Sequence, residues 1–273
     1  MSEYELAHEY EAVNVWRAGA LAKVELNRPD TMNAWNRQLG LDLRAAVDLV
    51  GLDDDVRCVL VTGAGRGFSS GADLKDMSAQ EDATPDGRPD VYRVLTDRYH
   101  PIITGLRTMP KPVVAAVNGP AVGIGLSLAL AADLVVARES AYFLLAFVNI
   151  GLVPDGGSSL FVPARVGMPR AMEMAMLGER IAAPQALEWG LINRVFADDA
   201  FEAEVDALAT KLAAGPTRSY AGTKRQLNAW IYPGMQDQLE LEARVQREMA
   251  RSDDFVEGVG AFVQKRQAAF TGR

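Results

Sequence analysis

The chain offers few residue types able to do chemistry. It holds two histidines, His8 and His100, and one cysteine, Cys58. Cys58 lies in the apolar run Cys58-Val59-Leu60-Val61 and reads as a core-strand thiol. One cysteine allows no intrachain disulfide, and a thiol nucleophile would want a base nearby. No His/Cys/Asp cluster has metal-ligand spacing, so no metal is expected. Gly63-Ala64-Gly65-Arg66-Gly67 is followed by neither Gly-Lys-Ser/Thr nor a long helix, so neither a Walker nor a Rossmann reading fits. Two other segments, Phe68 to Leu74 and Gly123-Ile124-Gly125, each place small residues after a strand. Small side chains let a ligand approach the backbone, and a helix start leaves N–H groups free to meet negative charge. Two such N–H groups converging on one oxygen would make an oxyanion hole. Asp73, Asp133 and Glu139 are single carboxylates near turns. Asp155, in Pro154-Asp155-Gly156-Gly157-Ser158, suits a turn or a helix N-cap. Ser158 and Ser159 lack an elbow motif and a histidine partner, and read as N-capping residues.

The elements that must position these residues are legible in outline. Ala20 to Leu26 alternates apolar and polar, as a half-buried strand does. Asn36 to Val50 carries a helical stripe of Leu39, Leu43, Val47 and Val50. Arg57 to Thr62 and Val113 to Val117 read as buried strands, and Leu134 to Ala137 as a short one. Ser78 to Asp90 is polar and proline-bearing and predicts a mobile loop. Helices are expected at 91–107 and 126–132. Beyond Pro154 the chain turns mostly helical, with periodic segments at Glu202–Ala214, Arg218–Trp230, Gln236–Ala250 and Asp254–Phe270. Alternating α/β followed by helices predicts an α/β core over 1–200 and a C-terminal helical subdomain over 201–273. At 273 residues with 49% hydrophobic residues, the chain can supply a sizeable core. A net charge of −8 argues against nucleic acid or an anionic membrane as partner. No apolar run reaches the ~18 residues of a membrane span. The acidic Met1-Ser2-Glu3-Tyr4-Glu5 lacks the pattern of a signal peptide. The expected location is cytoplasmic.

Four ordered motifs carry a resemblance. Leu26-Asn27-Arg28-Pro29 with Met32-Asn33-Ala34 is similar to the N-R-P…N-A opening of the crotonase (enoyl-CoA hydratase/isomerase) family. Phe68-Ser69-Ser70-Gly71-Ala72-Asp73-Leu74 resembles its F-(S/C/A)-(A/S)-G-(A/G)-D-(L/I) segment. Lys111 to Ala121 resembles its K-P-x-(I/V)-A-A-(V/I)-x-G-x-(A/C) segment. Glu173 to Ile181, then Ala186, Gly190 and Leu191, resemble the segment that follows the active site. The match spans nearly the whole chain in the family's order.

The resemblance implies the crotonase α/β superhelix of strand-strand-helix units, with a helical C-terminal region. It implies a homotrimer or a dimer of trimers, with an acyl-CoA thioester as substrate and no further cofactor. The thioester oxygen would sit between the backbone N–H groups of Ala72 and Ile124. CoA would run past Asn27, Arg28 and Ala34, with adenine near Ser70 and Ala72. Lys224 and Phe270 are candidates for its nucleotide end. The family's hydratases hold water with two glutamates, whose positions fall here on Ser127 and Phe147. Neither is a general base, so two-glutamate hydration is not expected. Members that shift double bonds place a carboxylate after a proline, and Asp155 occupies that position. The implied activity is conversion of 3-enoyl-CoA to 2-enoyl-CoA with Asp155 as acid/base. Leu144, Phe147 and Leu152 would form the acyl pocket and raise the Asp155 pKa by desolvation.

Two alternatives stay open. The family's 4-chlorobenzoyl-CoA dehalogenases pair an aspartate with a histidine, which here would be Asp155 with His100, although their tryptophan is replaced by Phe147. Atypical hydration belongs with this alternative, as another chemistry of the same site. A non-catalytic CoA-ester-binding protein is the other alternative. The direction taken by the Asp155 side chain, into the pocket or onto a helix end, separates these readings.

Overall fold

The computed structural model describes residues 3–75, 83–85 and 87–273. Its main sheet contains strands β1 (Glu5–Glu9), β2 (Val13–Ala18), β3 (Leu21–Leu26), β4 (Cys58–Gly63), β5 (Val113–Val117), β7 (Leu134–Arg138) and β10 (Arg194–Phe196), in that spatial order. The pairs β1–β2 and β2–β3 are antiparallel, and β3 through β10 run parallel. The parallel strands are covered on both faces, which explains their unbroken apolar runs. Side chains alternate between two hydrophobic clusters along each strand. Val59, Val61, Val113 and Ala115 face one cluster with α1 (Arg37–Leu52), whose stripe includes Leu39, Leu43 and Val47. Cys58, Leu60, Val114 and Ala116 face the other, closed by Phe201, Val205 and Ala209 of α7 (Phe201–Ala213). Burial pushes the Cys58 thiol up to about 12, as befits a core residue.

A small second sheet, β6 (Ala121–Val122), β8 (Tyr142–Leu144) and β9 (Ile181–Ala182), stands beside the first. Between β6 and β7 lies the apolar helix α4 (Ile124–Ala131), buried along its whole length. The helix expected at 91–107 is α2 (Val91–Val94), a π turn at Leu95–Tyr99, and α3 (His100–Thr108). The expected loop at Ser78–Asp90 falls partly on residues 76–82 and 86, outside the described residues.

After β8 comes a 3-10 turn at Ala146–Ile150, followed by the helical stretch α5 (Ser158–Leu177), which Gly167 (φ 75°) breaks in two. The C-terminal helices are α8 (Thr217–Ile231), α9 (Met235–Met249) and α10 (Asp253–Gln264), after α6 (Ala183–Glu188) and α7. Helix α9 adds Met235, Leu239 and Ala243 to the main cluster. The periodicity carried to Phe270 overruns α10, which stops at Lys265 in a left-handed conformation (φ 54°). Its tail folds back: the N–H groups of Thr271 and Gly272 donate to the Asp254 carboxylate at the helix start.

Candidate active site

The two small-residue segments are paired side by side. The Ser69 N–H donates to the Pro120 carbonyl, and the Val122 N–H to the Ser69 carbonyl, which sets Ser69 opposite Ala121. Ala72 and Ile124 each lie three residues beyond that pair, so the register keeps them level. Gly71 has φ 92°, and a Cβ there would meet the Val122 carbonyl oxygen at 3.0 Å, so glycine permits the approach. The Trp35 N–H donates to the Gly71 carbonyl, and the Asp73 N–H to the Trp35 carbonyl. That parallel bridge turns the N–H of Ala72 away from Trp35. Ile124 is the first residue of α4, where helix geometry leaves its N–H unpaired. Among the described residues, neither N–H donates to a backbone carbonyl.

Both residues line a cavity of about 380 Å³, and so does Asp155. Gly156 explains the proximity. A Cβ there would lie 2.4 Å from Cδ1 of Ile124 and 2.9 Å from Cβ of Ser127, so the turn after Pro154 rests directly on the first turn of α4. The Ser127 hydroxyl donates to the Asp155 carbonyl at 2.7 Å and fixes the contact. Leu144, Phe147 and Leu152 line the same cavity. Trp35 and Tyr99, stacked edge to face at 4.9 Å, add an aromatic wall. Val91, Val94 and Leu95 bring the helical run after Asp90 to the same space.

Asp155 is 5% exposed. Its Oδ2 accepts a hydrogen bond from Nε2 of Gln246 at 2.7 Å, while Oδ1 has no partner among the described residues. Burial raises its pKa to about 8; the Gln246 bond opposes that shift, and the nearby Glu242 carboxyl adds to it. The side chain caps no helix. The α5 start is held instead by Glu242 of α9, which accepts from the N–H groups of Gly157 (2.8 Å) and Ser159 (3.1 Å). Ser158 and Ser159 do not cap either: their hydroxyls donate to the Asp155 carbonyl and the Glu242 carboxyl. Burial raises Glu242 to about 7.

Several expected residues lie elsewhere. His100 is buried outside the cavity lining, its Nε2 has no hydrogen-bond partner among the described residues, and desolvation lowers its pKa to about 4. Lys224, 7% exposed, is no surface ligand. Its Nζ pairs with Asp133 at 2.9 Å and donates to the Leu106 carbonyl at 2.7 Å. Phe270 lies in the exposed tail; Phe262 of α10 lines the cavity instead. Ser70 and Ala72 line the cavity; Asn27, Arg28 and Ala34 are not among its lining residues. The Arg28 guanidinium is occupied by the Ala34 carbonyl (2.5 Å) and Asp73 (3.2 Å). Among the described residues, no group of three His, Cys, Asp or Glu side chains could hold a metal ion, and no helix is long and apolar enough to cross a membrane.

Gln246 and Glu242 were not anticipated. Helix α9 buries Met235, Leu239, Glu242, Ala243 and Gln246, so both polar residues occupy stripe positions. A glutamate and a glutamine inside an otherwise apolar stripe are the signal that points to them.

Two unpaired N–H groups and a half-bonded carboxyl around one apolar cavity can hold an oxyanion while a proton moves. The comparisons give the family. Residues 17–273 match the sequence model of the enoyl-CoA hydratase/isomerase family, and the chain belongs to that family. It is 41% identical to the 1,2-epoxyphenylacetyl-CoA isomerase of Escherichia coli, over 91% of this chain and 94% of that one. It is 36% identical to 4-chlorobenzoyl coenzyme A dehalogenase-2 of an Arthrobacter species, over 79% and 77% of the two chains. The crystal structure of an enoyl-CoA hydratase from Mycobacterium avium subsp. paratuberculosis superposes with a TM-score of 0.87 at 39% identity, covering 96% of this chain and 100% of that one. The fold is the crotonase fold, and the chain is an acyl-CoA enzyme of this family.

Proposed function

We propose that the protein moves the double bond of a 3-enoyl-CoA to the 2 position, with Asp155 as the single acid/base. One observation carries this reading: a buried carboxyl with a free Oδ1 lines the same cavity as the Ala72 and Ile124 N–H groups. The thioester oxygen accepts from both N–H groups. Ionised Asp155 takes a proton from C2, and the electron pair spreads into a dienolate whose negative charge rests on that oxygen. The same carboxyl returns the proton to C4, leaving the conjugated 2-enoyl thioester. Each oxyanion donor contributes about 10²–10³ in rate. A pKa near neutrality matches the carboxyl to both proton transfers.

Hydration fits less well, because Ser127 donates its hydroxyl to the Asp155 carbonyl and Phe147 lines the apolar wall. Dehalogenation would need a base at the cavity, and His100 does not line it. CoA is proposed to leave the cavity along Met32 and Ser70, past Arg28. The enzyme is proposed to work as a trimer or dimer of trimers. The exposed Met168, Met172 and Met176 of α5 and Leu227 and Trp230 of α8 supply apolar surface for contacts between copies. Sedimentation velocity measures that assembly, and a monomer at micromolar concentration would refute it.

The test of activity is ultraviolet detection of conjugated 2-enoyl-CoA formed from 3-enoyl-CoA of several chain lengths. Wild type should conjugate rapidly and Asp155→Asn should not. Binding of the thioester without conjugation at any length would overturn the proposal and favour a non-catalytic role.

A further inference from the structure

The turn that carries Asp155 is gripped from 91 residues away in sequence. Helix α9 presents Glu242 and Gln246 one turn apart on one face. Gln246 is fully buried. Its Oε1 accepts from the Val153 N–H at 3.0 Å, and its Nε2 donates to the Val153 carbonyl at 2.9 Å. These two backbone bonds settle which end of the amide is which. A flipped amide would set oxygen against the Val153 carbonyl and nitrogen against its N–H. The donor that reaches Asp155 is therefore fixed by main-chain groups, not chosen by the carboxyl. The second Nε2 hydrogen goes to Oδ2 of Asp155 at 2.7 Å. Oδ1 is left with no partner among the described residues.

We propose that Gln246 is the positioning residue of this site: it holds the Asp155 carboxyl by Oδ2 and so assigns Oδ1 as the atom that carries the proton from C2 to C4. This rests on the isomerase reading. The transfer balances on Oδ1 alone: its lone pair takes the C2 proton, the C–H electron pair passes to the dienolate, and the same O–H bond breaks when C4 is protonated. Gln246 supplies no proton. An amide donor also bonds an ionised carboxyl more strongly than a neutral one, so Gln246 holds the Asp155 pKa lower than burial alone would. Glu242 is the charged neighbour that pushes the other way. Arg37, Asp73, Arg98 and Arg180 line other parts of the same cavity.

The experiment is the pH profile of kcat and KM for 3-enoyl-CoA conjugation in wild type, Gln246→Glu, Gln246→Met and Asp155→Asn, with the melting temperature of each. A lost bond to a charged group is expected to move the acid limb of kcat upward by about 1–2 pH units. Gln246→Glu keeps the acceptor for the Val153 N–H and adds a like charge, so its limb should move furthest. KM should stay within about twofold, because the Gln246 amide, although it lines the cavity, is taken up by Val153 and Asp155. Gln246→Met serves if the charged variant fails to fold. A uniform fall in kcat with the limb unmoved would reduce Gln246 to a structural role and overturn the inference. Full activity in Asp155→Asn would instead overturn the isomerase reading beneath it, so the two failures are distinct.

Discussion

Asp133 and Asp155 are both carboxylates drawn into the molecule, and they are satisfied in opposite ways. Asp133 follows α4 and meets two cations, Arg107 and Lys224, the latter at 2.9 Å. The Val113 N–H donates to its Oδ2 at 2.9 Å. Its acceptor capacity is spent on holding α3, α8 and the start of β5 together. Asp155 is more deeply buried and, among the described residues, meets no cation. One amide bonds one of its oxygens, the other oxygen is free, and its pKa rises to about 8. Sequence gives both residues the same chemistry. What separates a brace from a proton carrier is the number of partners the fold supplies. The same contrast explains Lys224. An isolated lysine on a polar helix reads as a solvated side chain, yet this one is the counter-ion that Asp133 requires.

Substitutions can break or sharpen that contrast. The largest effect is expected at Asp155→Asn. It should lower kcat for conjugation by about 10²–10⁴-fold and leave the fold intact, as read by circular dichroism. Asp133→Asn should do the reverse. It strands two buried cations and should cost about 3 kcal/mol or more in urea unfolding, while kcat per folded molecule stays within about twofold of wild type. A third effect is linked to pH. The neutral form of Asp155 suits its buried site, so its contribution to stability is fully present below the ordinary value of 3.8 and is lost as pH rises through about 8. The melting temperature of Asp155→Asn should therefore exceed that of wild type most at pH 9, with the gap closing toward pH 5. A gap of the opposite trend would mean that the carboxylate is stabilised in the fold. The smallest effect is expected at Glu242→Gln. Removing its charge should move the acid limb of kcat to lower pH, by less than the Gln246 variants move it upward.

The parts of the fold that obey local rules were legible in the sequence. The stripe of α1, the buried strand Val113–Val117 and the glycine-bearing segments around Ala72 and Ile124 all follow from periodicity and turn chemistry. Asp155 was reached through the resemblance, since its local sequence speaks for a turn or a helix cap. The cap is in fact Glu242, which no local rule could supply because it arrives from α9. Gln246 and Phe262 escaped, and Lys224 reads as a CoA ligand, for the same reason: their surroundings are set by partners far away in the chain. The polar residues in the α9 stripe were the one visible trace, and hydrophobic periodicity alone passes over them. The overrun of α10 to Phe270 came from apolar spacing that continues past the left-handed stop at Lys265.

The central claim is that a buried, half-bonded Asp155 moves the proton. Its most direct test is the pH dependence of kcat/KM for 3-enoyl-CoA conjugation, measured from pH 5 to 10 in wild type and Asp155→Asn together. The account predicts a wild-type rate that climbs with pH and levels off above about 8, and a variant at least about 10²-fold slower that lacks this limb. A variant within tenfold of wild type, or a wild-type profile flat across the range, would contradict it.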